Sequence, residues 1–203
     1  MRGVAVVALH PQEIRRHFLC RDWRRKTTFY GQSLDLPLYR RRGRWDRQTI
    51  PFTQHSTYLR LQQIHQYVYL PLSAEQGLGN KATLSRAVEL GKHMPHPVSE
   101  GILRRKLELL EHMASQGYRQ DMSPDYMGLA IARDGSPIKV SEGNNRLAAA
   151  QLLGLPQIVA EVRYVHERWY QQQVKSRGDS GPAGIREALA ELDSLQDVWP
   201  PPK

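Results

Sequence analysis

Met127-Gly128-Leu129-Ala130-Ile131-Ala132-Arg133-Asp134-Gly135-Ser136-Pro137-Ile138-Lys139-Val140-Ser141-Glu142-Gly143-Asn144-Asn145-Arg146-Leu147-Ala148-Ala149-Ala150 is the stretch that decides the fold. It opens on a short apolar run with the length and texture of a buried strand. Asp134-Gly135 is a strong hairpin-turn signal, and Pro137 to Val140 is the return strand. A polar turn, Ser141 to Asn144, then leads into Arg146 to Leu153, which is made almost wholly of good helix formers. Gly154 and Pro156 end that helix. Gln157 to Val165 alternates Ile158, Ala160, Val162 and Tyr164 against Val159, Glu161, Arg163 and Val165, so it reads as another strand.

The turn carries the chemistry. A chain that passes from a strand into a helix leaves the first backbone N–H groups without intrahelical acceptors. Those groups and the helix dipole attract anions. Gly143 lets a ligand approach the backbone, Asn144 and Asn145 can cap the helix or bond a ligand, and Arg146 adds a guanidinium fork. Glu142 is an acid beside an anion site, which suits a metal bridge, a base or a ribose contact. A plain reading stands beside this one, with Gly143 and Asn144 making a tight turn, Asn145 capping the helix and Arg146 solvated.

Upstream, Val4 to Leu9 reads as a strand and Pro11 to Leu19 as a short helix. Between Thr57 and Leu72 the pattern suits a helix first and an extended stretch later, broken by Pro71. Lys81 to Lys92 is helical. Ser99 is a good N-cap for a helix to about Ser115, with Ile102, Leu103, Leu107 and Leu110 on its buried face and Arg104, Arg105 and Lys106 outside. Ser176 to Gly181 reads as a flexible link, and Pro182 opens a last helix whose stripe runs through Ile185, Leu189, Leu192 and Leu195. The division expected is a basic, aromatic-rich region over 1–60, a core over 61–175 and a C-terminal helix over 182–196. The fold class is α/β (α+β), a small mixed sheet with flanking helices and a basic N-terminal extension.

The chain has 203 residues, 40% hydrophobic and 24% charged, which is enough for a real core. No apolar run reaches the roughly 18–20 residues of a membrane span, so no membrane partner is expected. One cysteine, Cys20, excludes an internal disulfide and suits a reducing cytoplasm. With eight histidines but no His-Glu-x-x-His, no structural zinc site is expected. His166 could line the nucleotide cleft or sit packed at a strand end. The net charge of +9 favours polyanions. Arg24, Arg25 and Lys26, then Arg40, Arg41 and Arg42, lie among Trp23, Phe29, Tyr30, Tyr39 and Trp45. Guanidinium forks bind phosphate and aromatic faces stack on bases, so these residues are candidate DNA contacts. The same aromatics could instead dock this region on the fold.

The order hairpin, Gly143-Asn144-Asn145-Arg146, alanine-rich helix, Leu153-Gly154 step and following strand resembles the ParB/sulfiredoxin superfamily. The turn lies where partition proteins have G-E-R-R and sulfiredoxins have G-C-H-R. Val165-His166-Glu167-Arg168-Trp169 resembles an ending found in ParB-like nuclease-domain proteins. The likeness covers about 45 residues, Met127 to Tyr170. It implies that the turn binds ATP or CTP phosphates with Mg²⁺, through Ser141, Gly143, Asn144, Asn145, Arg146 and His166, with Glu142 and Arg146 in the chemistry. Members include sulfiredoxins, partition-complex DNA clamps, free-serine kinases and plasmid fertility-inhibition factors with ATPase and DNase activities. Asn144 stands in place of the sulfiredoxin cysteine, and no helix-turn-helix follows residue 170. The acid that the kinases use could be Glu13, Asp22, Asp35 or Asp46. The expectation is an ATP-hydrolysing, DNA-acting protein of plasmid conjugation, with nuclease activity as a further expectation. The alternatives are a kinase of a small hydroxyl substrate and a nucleotide-switched inhibitor that docks on a DNA-transfer or partition protein.

Overall fold

The computed structural model describes residues 6–19, 39–74, 81–122, 125–140, 142–179 and 182–192. Its centre is a mixed seven-stranded sheet. The strands are β1 (Val6–Leu9), β2 (Arg16–Phe18), β3 (Tyr39–Arg41), β4 (Thr49–Pro51), β5 (Met127–Ile131), β6 (Pro137–Lys139) and β7 (Ile158–His166). They lie in the order β1-β7-β5-β6-β2-β4, and β3 pairs with β7. The β5–β6 hairpin forms at Asp134-Gly135, where Gly135 has φ +83°. β5 runs parallel to β7, β2 to β6 and β3 to β7, while β1 is antiparallel to β7 and β4 to β2. The α/β class is therefore as expected. Four strands come from the described parts of the first 60 residues, and they are built into the sheet.

The helices are α1 (Ser56–Ile64), α2 (Leu70–Ala74), α3 (Lys81–Gly91), α4 (Glu100–Gln116), α5 (Asn144–Leu152), α6 (Glu167–Arg177) and α7 (Pro182–Ala190). The main core joins Met127, Leu129, Ile131, Val162 and Ile158 of the sheet to Leu61, Ile64, Leu103, Leu110 and Leu147 of the helices. Ala148, Ala149 and Ala150 are fully buried, and such small side chains let α5 lie close to α1. A smaller cluster on the other face joins Phe18, Trp45, Ala130, Ile138, Val140 and Tyr164.

Four local expectations are corrected. Pro11 to Leu19 is a single 3₁₀ turn (Pro11–Glu13) followed by β2, because pairing of Arg16 and His17 to β6 outweighs local helix preference. The chain from 65 to 74 stays helical, with a π turn over His65–Tyr69 ahead of Pro71. A widened turn absorbs the hydrogen bond that Pro71 cannot make. The helix after the turn begins at Asn144, with Gly143 in the N-cap position instead of Asn145. The alternation in β7 also breaks. Leu129 is opposite Val162 and Ala130 opposite Tyr164, so Arg163 is an extra, bulged residue. Beyond the bulge Tyr164 joins the smaller cluster and Val165 the main core. In α7, Ile185 and Leu189 are buried as expected, Leu192 is partly buried, and Leu195 lies outside the described residues.

Candidate anion-binding site

Gly143 stands at φ +86°, and a Cβ there would come within 3.1 Å of Met127 Cβ. Glycine is needed twice over, for the left-handed backbone and for the contact with β5. No side chain caps α5 at this residue, and a cleft of about 370 Å³ opens at this end of the helix. Gly143, Asn145, Arg146, Glu142, Arg105 and Lys106 all line it.

Arg146 reaches across to donate to the carbonyl of Asp125 at 2.6 Å, and to the Tyr118 hydroxyl at 3.5 Å. Its guanidinium is thereby held at the cleft wall. Lys106 Nζ donates to Asn145 Oδ1 at 2.5 Å, which ties α4 to the first turn of α5. Burial first, then the positive charges of Arg60 and Arg105, pull the Lys106 pKa down from its ordinary value. The cations here crowd one another, a condition that an incoming anion relieves.

Glu142 is paired with Arg163 at 2.8 Å, and Arg163 also meets Glu161 at 3.3 Å. The β7 bulge supplies this contact by freeing Arg163 from the strand register. Behind the turn lies Lys139, fully buried, donating to the carbonyl of Glu142 at 2.7 Å and toward that of Gly128 at 3.4 Å. Burial pushes its ammonium pKa down to about 7, Glu142 opposes this, and Arg163 and Arg146 add to it. Its cross-strand partner is His17. The His17 ring lies 4.2 Å from that of His55, with Asn144 beside it. Burial, His55 and Lys139 lower the His17 pKa to about 4, so this cluster is uncharged on its histidines at neutral pH.

Comparison with family models, curated proteins and solved structures gives no match to this chain.

Of the residues expected at the turn, Glu142, Gly143, Asn145 and Arg146 share the cleft, and Asn144 sits on its inner side against His17. Ser141 lies outside the described residues. His166 belongs elsewhere. It lines a second cleft, bonds the carbonyl of Gly43 at 2.9 Å through Nε2 and accepts from the amide of Arg168 at 3.0 Å through Nδ1. Both ring nitrogens are thus engaged in holding β7, α6 and the Gly43 loop together. Arg24, Arg25 and Lys26 lie outside the described residues. Arg40 is pinned by Glu167 at 2.8 Å and over the Tyr170 ring, and Arg41 lies over Phe18, Trp45 and Tyr164, so both serve the fold. Arg42 is exposed. Among the candidate acids, Asp46 is held by Arg133 and is not among the residues lining the anion cleft, Glu13 is exposed on its 3₁₀ turn, and Asp22 and Asp35 lie outside the described residues. No cluster of metal-ligating side chains occurs among the described residues.

Arg105 and Lys106, expected on the outside of α4, line the cleft instead, and Arg163 and Lys139 were not expected at the site. One signal existed. Three consecutive cations, Arg104 to Lys106, span roughly 200° of a helix at about 100° per residue, so they cannot all face away from a packed neighbour. The bulge that delivers Arg163 leaves no comparable mark in the sequence.

Proposed function

We propose that the cleft at the start of α5 holds the phosphates of a nucleotide, ATP in the first instance with Mg²⁺, and that the protein hydrolyses it while acting on DNA. The observation that carries this reading is the convergence of Arg105, Lys106 and Arg146 on an uncapped helix N-terminus whose glycine is enforced by contact with Met127. Backbone amides would take the terminal phosphate oxygens, and the three cations would neutralise them. The likeness of Gly143-Asn144-Asn145-Arg146 to the ParB/sulfiredoxin turn supports a nucleotide over a simpler anion. Glu142 would help hold Mg²⁺ by exchanging its pairing with Arg163 for the metal. When bound, the ion would supply charge neutralisation during phosphoryl transfer. The net charge of +9 supports DNA as the polymer acted on.

Purified full-length protein is tested by calorimetric titration with ATP, ADP and CTP with and without Mg²⁺, then for phosphate release and for cleavage of single- and double-stranded DNA. Micromolar nucleotide binding, lost in Arg146→Ala, is expected. Absence of binding by all three nucleotides overturns the reading. Transfer of labelled phosphate from ATP to a small hydroxyl metabolite, with DNA left intact, would replace hydrolysis by a kinase activity at the same cleft.

A further inference from the structure

β3, β5 and β7 run parallel, and their carboxyl ends come together at the edge of the sheet away from the α5 turn. The turn sits at the start of β5, where Gly128 meets Glu142, whereas Arg133 follows the end of β5. Five residues of strand separate the two places, roughly 15 Å at about 3.3 Å per residue. At this far end a second cleft of about 370 Å³ opens, lined by Arg42, Gly43, Arg44, Arg133, Arg168 and Gln171 among others.

The charges there do not cancel. Glu167, the acid at the cleft, is taken by Arg40 at 2.8 Å and by the Gln171 amide at 2.8 Å. Asp46 beneath it is taken by Arg133 through contacts of 2.5 and 2.6 Å. Arg42 stands 3.8 Å from the already engaged Glu167, with its side chain 66% exposed. Arg44 and Arg168 are exposed and meet no acidic partner among the described residues. Arg44 and Arg168 therefore overhang the concavity without an acidic partner among the described residues, and Arg42 shares Glu167 with Arg40. The lip is bare backbone at Gly43, where φ is +98° and no heavy atom lies within 4 Å of a Cβ position. Trp45 and His166, the rings beneath, are buried, so no aromatic face is offered for stacking. Forked donors fit phosphodiester groups bidentately, and contacts to phosphate carry no sequence information.

We infer that this second cleft binds the sugar–phosphate backbone of DNA without sequence preference, through Arg42, Arg44 and Arg168, at a place separate from the nucleotide cleft. Beneath the cleft lie the stacked Trp45 and His166 rings and the Asp46–Arg133 pair.

The test is fluorescence anisotropy of labelled 20-nucleotide DNA, single-stranded and duplex, in several sequences, titrated with full-length protein across a salt series. Arg44→Glu/Arg168→Glu is compared with Lys175→Glu/Arg186→Glu, which removes equal charge from exposed positions on α6 and α7. The first variant is expected to lose at least tenfold in affinity for every sequence and to lower the salt slope by about 1.4–1.8, at about 0.7–0.9 for each of two phosphate contacts. The second is expected to change affinity less than threefold. ATP titration of both variants keeps the two clefts apart, since neither alters the α5 turn. Equal losses in the two variants, unchanged affinity in the first, or no DNA binding by the wild type would overturn the inference. Preference for acidic lipid vesicles over DNA would also overturn it.

Discussion

His17 and Lys139 are register partners across two parallel strands, and both make stability rise with pH, in different windows. His17 has its pKa lowered by burial, His55 and Lys139, to about 4 from 6.5. Above pH 6.5 the ring is neutral in the folded and unfolded chain, and no penalty arises. Between 6.5 and 4 the unfolded chain binds a proton that the folded chain refuses, so stability falls as pH drops through that window. Thermal melts of His17→Phe are expected to show a shallower acid loss than the wild type. An unchanged slope would mean that His17 titrates normally. Lys139 is lowered by burial to about 7 from 10.5, with Arg163 and Arg146 assisting and Glu142 opposing. Below pH 7 it is charged in both states and the full burial penalty is present. As pH rises from 7 toward 10.5 the folded chain sheds the proton first, and stability rises. Lys139→Met is expected to flatten this alkaline rise in the same melts. Neither residue announces itself in the sequence. A lysine in an alternating strand reads as solvent-facing, and only the arrival of β2 beside β6 seals it in.

The turn between β6 and α5 is the element whose form was most legible beforehand. The Asp134-Gly135 hairpin, the Gly143 turn and the alanine-rich helix are local devices, and each forms where its residues favour it. Gly143→Ala tests that element directly. A residue with a side chain at φ +86°, with its Cβ against Met127, should lose about 1–3 kcal/mol in urea unfolding. It should also lose nucleotide binding, because the opening amides would be displaced. Full stability in Gly143→Ala would show that the backbone there relaxes freely. Elements set by distant pairing were less legible. β2 is a strand because β6 and β4 flank it, and the bulge in β7 exists because β5 pairs on both sides of Arg163. In a bulged strand the side chains exchange faces, which is how Arg163 came to meet Glu142 when alternation alone would have placed Tyr164 with Val162.

Over the whole molecule, one sheet places two cationic clefts at opposite ends of β5. The amount of basic charge was plain in the sequence, but its allocation was not. Arg40 and Arg41 are consumed by Glu167 and by aromatic faces, whereas Lys106, on a helix read as having an outward basic face, lines the first cleft. Aromatics among arginines can serve the fold or a ligand, and only packing distinguishes the two uses. Here Trp45 lies 5.1 Å from Tyr164 and 6.1 Å from Phe18 in edge contacts, at the heart of the smaller cluster. The central claim is that the opening amides of α5, with Lys106 and Arg146, receive nucleotide phosphates. The most direct measurement is the melting temperature of full-length wild type and of Lys106→Ala/Arg146→Ala as ATP–Mg²⁺ rises from zero to millimolar. Binding confined to the folded state must raise stability by mass action, about 2.7 kcal/mol at a hundredfold excess over Kd. The wild type should climb by several degrees while the variant stays level. A flat wild-type curve, or an equal rise in the variant, would contradict the account.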